Sequence, residues 1–159
     1  PDLELINLRL NLLAESLTYL SGFHNGVGAQ LNTSIDDNFR NETAPDGTAW
    51  KQLMPATIRR REQRGQTPIA ILRASGGLRG SVNVQTTAQD VRAGSPAEHA
   101  AIHQLGGEIK KKARKGKAFG RDNVAIPAHT IKIPARPFIG IGPDDEVAIV
   151  EIADAWLNP

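Results

Sequence analysis

The chain has no cysteine among its 159 residues. Disulfides, thiolate metal sites and thiol nucleophiles are thereby excluded, as a reducing compartment would favour. Aromatic residues make up only 4%. A core must therefore be built largely from Leu, Ile, Val and Ala, and little remains for stacking nucleobases. No apolar run approaches the roughly 20 residues of a membrane-spanning helix. Asp2, Glu4, Asn7 and Arg9 interrupt the N-terminal leucines, which argues against a secretory signal, and no membrane partner is expected.

Signatures of catalysis are equally scarce. "ASGGLRGS" lacks the Gly-Lys-Ser/Thr ending of a phosphate loop, and "GIGPDD" lacks a third glycine and follows no βα pattern. No Gly-x-Ser-x-Gly nucleophile turn occurs. His99 and His103 stand four apart, as helical metal ligands can, but Glu98 lies outside the pair rather than between them. Packing or surface roles outweigh a metal there. His24 and His129 are isolated. Asp36-Asp37 and Asp144-Asp145 are adjacent carboxylates. The first pair falls on the polar side of a helix, and the second suits a helix N-terminus. No catalytic, cofactor-binding or metal-ligating residue is assigned, and no enzymatic activity is expected.

What the sequence does contain begins with leucine. Leu3, Ile6, Leu10, Leu13, Leu17 and Leu20 recur at alternating three- and four-residue steps, and Leu5, Leu8, Leu12 and Tyr19 form a second stripe. Such a helix can cover its own domain or contact another subunit, and Leu5, Leu8 and Leu12 are the candidate contact residues. "SGFHNGVG", with three glycines, is expected to break it. A second helix should carry Val27, Leu31, Ile35 and Phe39 inward and end near Asn41. Pro45-Asp46-Gly47 reads as a turn, Trp50 as a core anchor, and the arginines 59–61 and 64 as a short helix closed by Gly65.

Thereafter the period shifts toward two. Ile69–Leu72 is a short apolar segment and Gly76-Gly77 a turn, with strands expected around 81–85 and 90–93. "SPAEHAAIHQLGG" reads as a helix with Ser95 as N-cap and Gly106-Gly107 at its end. The three prolines of "NVAIPAHTIKIPARPFIGI" demand extended chain. "GPDDEVAIVEIADAWL" predicts a final helix with Val147, Val150, Ala153 and Leu157 facing inward, and Pro143 at N1. This order argues an α+β fold with N-terminal helices, a small antiparallel sheet and a C-terminal helix. A single domain over 1–159 is expected.

Charge is unevenly spread. The chain carries +2 overall, yet 108–121 sets Lys110, Lys111, Lys112, Arg114, Lys115, Lys117 and Arg121 against Glu108 alone. That local balance of +6 leaves −4 elsewhere. A basic loop there points to contact with an anionic partner, nucleic-acid phosphates or an acidic protein surface, or to a merely solvated loop. Phe119 is its one aromatic residue, so base-specific reading is unsupported.

Four blocks carry a resemblance. "DGTAWKQLMPATIRRR", "ILRASGGLRGSV", "AEHAAIHQLGG" and "IPARPFIGIGPDD" occur in this order. Together they resemble the virion morphogenesis (tail completion) family of tailed bacteriophages, which includes Mu-like G proteins. The likeness spans roughly Pro45 to Glu146. It departs from the family pattern at the second glycine of "ASGGLRGS", leaving the role of Gly77 open. The resemblance implies a structural protein of the virion neck, assembled in the host cytoplasm. Such a protein works as a ring, here expected to be a hexamer, that joins the tail to the DNA-filled head.

Expected partners are copies of itself, neighbouring neck, connector or tail proteins, and packaged DNA. The basic residues would then face the channel. Arg136, stiffened between Pro134 and Pro137 and biased to extended geometry by the following proline, would pair with a carboxylate of its own last helix or of a neighbouring subunit. Two other readings stay open: a non-specific nucleic-acid-binding module, and a hydrolase with an unrecognised site.

Overall fold

The computed structural model describes residues 3–118 and 121–158. The chain runs through helices α1 (Leu3–Thr18), α2 (Ser21–Asn41), α3 (Pro55–Gln63) and α4 (Gly77–Ser81) into strands β1 (Asn83–Thr86) and β2 (Val91–Gly94). Helix α5 (Ala100–Leu105) follows, then strands β3 (Gly107–Lys111), β4 (Arg114–Ala118), β5 (Arg121–Ile126) and β6 (His129–Ile133), and finally α6 (Pro143–Leu157). This is an α+β architecture. Its strands form three separate antiparallel pairs, β1–β2, β3–β6 and β4–β5.

Helix α2 organises the core. Its four-residue stripe points inward as the spacing predicts, with Val27, Leu31, Ile35 and Phe39 buried. The glycine-rich stretch before it does not break the chain as expected, because α2 already begins at Ser21 and runs through Gly22, Gly26 and Gly28. Low helix propensity is overridden by packing. A Cβ at Gly26 would stand 2.9 Å from Ile152 Cγ2, and one at Gly22 or Gly28 would collide with Trp156 or Thr86. These glycines let α6 and β1 approach the α2 backbone.

Three other expectations change. Gly76-Gly77 is not a free turn: Gly76, at φ 75°, caps the one-and-a-half turns of α4, and Gly77 opens that helix. That settles the role of Gly77. Ser95 is not the N-cap of α5, which begins after His99; its Oγ accepts from Ala97 N and meets Ser81 Oγ. On α6, Val147 and Val150 face solvent, 60% and 67% exposed. Ala153 and Leu157 are partly covered as expected, and the rest of the inward face is Asp145, Ile149, Ile152 and Trp156. Asp145 closes the helix start, accepting from Gly142 N (3.0 Å), Ser34 Oγ (2.9 Å) and Gln30 Nε2 (3.1 Å).

The segment expected to be a basic loop is largely strand. β3 and β6 pair from Gly107↔Ile133 to Lys111↔His129, and β4 continues against β5 from Arg114↔Ile126 to Ala118↔Arg121. The two ladders follow one another in the chain as a two-part β ribbon, each part about 17 Å long at the usual rise of a strand. Lysine is a weak strand former, so these strands depend on pairing, β3 with a strand 18 to 26 residues on and β4 with one 3 to 12 residues on, rather than on local propensity.

Candidate functional site

Every block that carried the resemblance converges on one extended segment, 136–139. Arg136 N donates to His103 O at 2.7 Å. Its guanidinium donates to two carbonyls, Nε to Lys51 O at 2.8 Å and Nη2 to Gln52 O at 3.3 Å. Trp50 Nε1 donates to Pro137 O at 2.8 Å. The Gln104 side chain then substitutes for a neighbouring strand: Oε1 accepts from Phe138 N (3.0 Å) and Ile139 N (3.2 Å), while Nε2 donates to Ile139 O (2.6 Å). Phe138 is thereby driven into the core, 1% exposed, against Phe39 and near Trp50, Ile71 and Leu78. Gly106 lets α5 end there. Its φ is 73°, and a Cβ would stand 2.7 Å from Ala135 N.

This geometry corrects the expectation for Arg136. The residue is buried, at 6% exposure, and is held by backbone carbonyls rather than by a carboxylate. Its side chain turns into its own chain. Burial and the nearby Arg61 charge both lower its pKa, with Glu42 opposing them. Gln104 is the residue that sequence reasoning missed. Its signal was present in "HQLGG", a helix-terminal glutamine before glycines, but only the partner segment reveals the role.

Around Arg136, a small cavity of about 220 Å³ is lined by Arg61, His99, His103, Ser75 and leucines. Burial, with the charges of His99 and Arg136, lowers the His103 pKa. The His99 and His103 rings lie edge to face at 5.8 Å. No group of three potential metal ligands converges among the described residues. Of the paired aspartates, Asp36 bonds Arg79 and Asp37 bonds Arg40, while both Asp145 oxygens serve the α2–α6 contact.

Two features lie outside this body. The first is α1, which has no buried residue. Leu3, Leu5, Ile6, Leu8, Leu10, Leu12, Leu13 and Leu17 are between 36% and 75% exposed. Within α1 neither stripe is buried by the described residues; Leu20, just beyond the helix, is partly covered. The body touches α1 near its end, where Trp156 Nε1 donates to Ser16 O at 3.4 Å and Leu157 lies by Leu12 and Leu13. The second is the β ribbon. Lys110, Lys111, Lys112, Arg114 and Lys115 are all exposed along it. Glu108 meets Lys132 across the ladder at 3.5 Å, and Ile109 faces Ile131 on the opposite side. The side chains of Lys117 and Arg121, and Phe119 entirely, lie outside the described residues.

Comparison with known proteins identifies the family. Residues 2–158 match the phage virion morphogenesis family. The chain is 30% identical over 130 residues to protein G of Escherichia phage Mu, whose name provisionally assigns it to capsid assembly; the match covers 81% of this chain and 72% of that protein. It is 26% identical over 146 residues to the Mu-like prophage FluMu G protein 2 of Haemophilus influenzae, covering 92% of this chain and 84% of the relative. No solved structure matches. The motif blocks thus hold a core together, the leucines of α1 and Lys110–Lys112, Arg114 and Lys115 stay exposed, and the chain belongs to the phage virion morphogenesis family.

Proposed function

We propose that the chain is a structural component of the virion neck, closing into a sixfold ring that joins the tail to the DNA-filled head. The observation that carries this reading is α1. A helix of 16 residues is marginal in water by itself, and here its leucines stay between a third and three quarters exposed among the described residues. Such a surface fits contact with further copies or adjoining virion proteins. In a ring the cationic ribbon repeats around one axis, and a modest charge per subunit becomes a strong field suited to DNA phosphates or an acidic neighbour.

The test replaces Lys110, Lys111, Lys112, Arg114, Lys115, Lys117 and Arg121 with Ser in the phage. Loss of DNA retention and infectivity with intact protein folding is expected. Unchanged assembly, DNA retention and infectivity would eliminate the channel role. The ribbon also favours a second reading, a non-specific nucleic-acid-binding module. That reading requires steeply salt-dependent DNA binding by the isolated monomer.

A further inference from the structure

We infer that α1 is a two-sided lateral connector: its first apolar face packs against the second apolar face of the next copy, so the helices join head-to-tail around the ring. This rests on the ring reading and specifies which surfaces meet. A helix turns about 100° per residue. On that wheel Leu3, Ile6, Leu10, Leu13 and Leu17 centre about 150° from Leu5, Leu8 and Leu12. One partner helix covers a stripe of roughly 100°, so a single neighbour cannot cover both faces.

The remaining sectors fix the arrangement. Between the two faces, on the narrower side, lie Arg9 and Ser16. That is the side turned to the chain's own body, since Ser16 is the one partly covered residue of α1 and its carbonyl accepts from Trp156. The opposite sector holds Glu4, Asn7, Asn11, Glu15 and Thr18, a polar ridge suited to water. Each α1 therefore sits body beneath and polar ridge above, with apolar flanks pointing to both sides at about 75° from the body direction. Copies related by a cyclic axis share this orientation, so the left flank of one must meet the right flank of the next. That is a heterologous contact.

Area favours many copies over two. A helix of this length presents a flank about 24 Å by 10 Å. One contact thus buries on the order of 500 Å² in total, well below the roughly 1,200 Å² of a stable pair. In a closed ring every subunit makes the contact twice, and no flank is left open.

The absence of cysteine makes the pairing directly readable. Leu8→Cys and Leu10→Cys sit on opposite flanks and are exposed, so neither disturbs the body. Assembled particles carrying either variant, or an equal mixture, are treated with a short bismaleimide. A crosslinked pair containing one of each variant is expected in the mixture, and none in either variant alone. Same-variant dimers from assembled particles overturn the head-to-tail pairing and leave the ring intact. Assembled particles with no crosslink in the mixture do the same. Failure of the protein to form any multimer in the virion overturns the ring and this inference together.

Discussion

Gln104→Ala isolates the joint on which the four motif blocks converge. The substitution removes three hydrogen bonds, two accepted from Phe138 and Ile139 N and one donated to Ile139 O. Each is worth about 0.5–1.5 kcal/mol net, and a buried backbone group left without a partner costs about 1–3 kcal/mol. Phe138 is buried and Ile139 partly so, which places the total at about 2–4 kcal/mol. For a chain of this size that lowers Tm by roughly 5–15 °C. Urea unfolding followed by tryptophan fluorescence reads the loss, since Trp50 bonds the same segment at Pro137. Gln104→Glu sharpens the test. An ionised carboxylate still accepts from both N–H groups but repels Ile139 O, whereas a protonated one can donate to it. This variant should regain stability relative to the parent as pH falls toward about 4.3. A Gln104→Ala variant within about 0.5 kcal/mol of the parent would mean that water replaces the amide, and the account of the segment would fail.

Gly26→Ala should lose about 1–3 kcal/mol in urea titration through overpacking against Ile152, although alanine ordinarily gains up to about 1 kcal/mol in a helix. Leu5, Leu8 and Leu12 changed together to Ser should leave monomer stability within about 0.5 kcal/mol, as exposed residues do, while abolishing assembly in a mass measurement. Stability should fall with acid in two windows. The folded His103 imidazole, facing His99 and Arg136, binds a proton less readily than the unfolded one. Its contribution is therefore complete above 6.5 and declines as pH drops below that value. Arg79 holds the Asp36 carboxyl below its ordinary 3.8, so that pair stabilises above 3.8 and is lost below it; Asp46 and Asp90 are lowered likewise, so Asp36→Asn should lessen the second decline and leave the first.

The sequence made the interior easier to read than the periphery. The α2 stripe is legible because four-residue spacing survives whatever packs on it, and the acidic start of α6 because the helix dipole acts locally. Trp50 is legible as a rare aromatic in a chain of aliphatics. Errors arise where a distant partner decides. Gly22 and Gly26 read as a break until Trp156 and Ile152, more than a hundred residues on, occupy the space they leave. The inward stripe of α6 begins with a buried carboxylate, Asp145, so hydropathy selects the wrong set of valines. The basic segment lacks strand formers and becomes strand through pairing with β5 and β6. Arg136 is legible as preorganised, but its acceptors, two carbonyls before α3, carry no side-chain signature.

The same division bears on where function resides. The segment 136–139 spends its polar groups internally: Arg136 on carbonyls, Gln104 on amides, Trp50 on Pro137. Little there is free to react with a substrate. On α1 the reverse holds. Eight large aliphatic residues stand about half exposed, and full burial of each is worth about 1.5–3 kcal/mol. Covering them is worth on the order of 9 kcal/mol before the entropy of association is subtracted. That is comparable with the whole stability of an ordinary domain, about 5–15 kcal/mol. Under the proposed ring, neighbouring copies would supply that cover, and the association cost of about 4–15 kcal/mol is of the same size, so closure of many contacts at once has to carry assembly. On that reading the leucines of α1, rather than a pocket, hold the free energy that assembly would draw on.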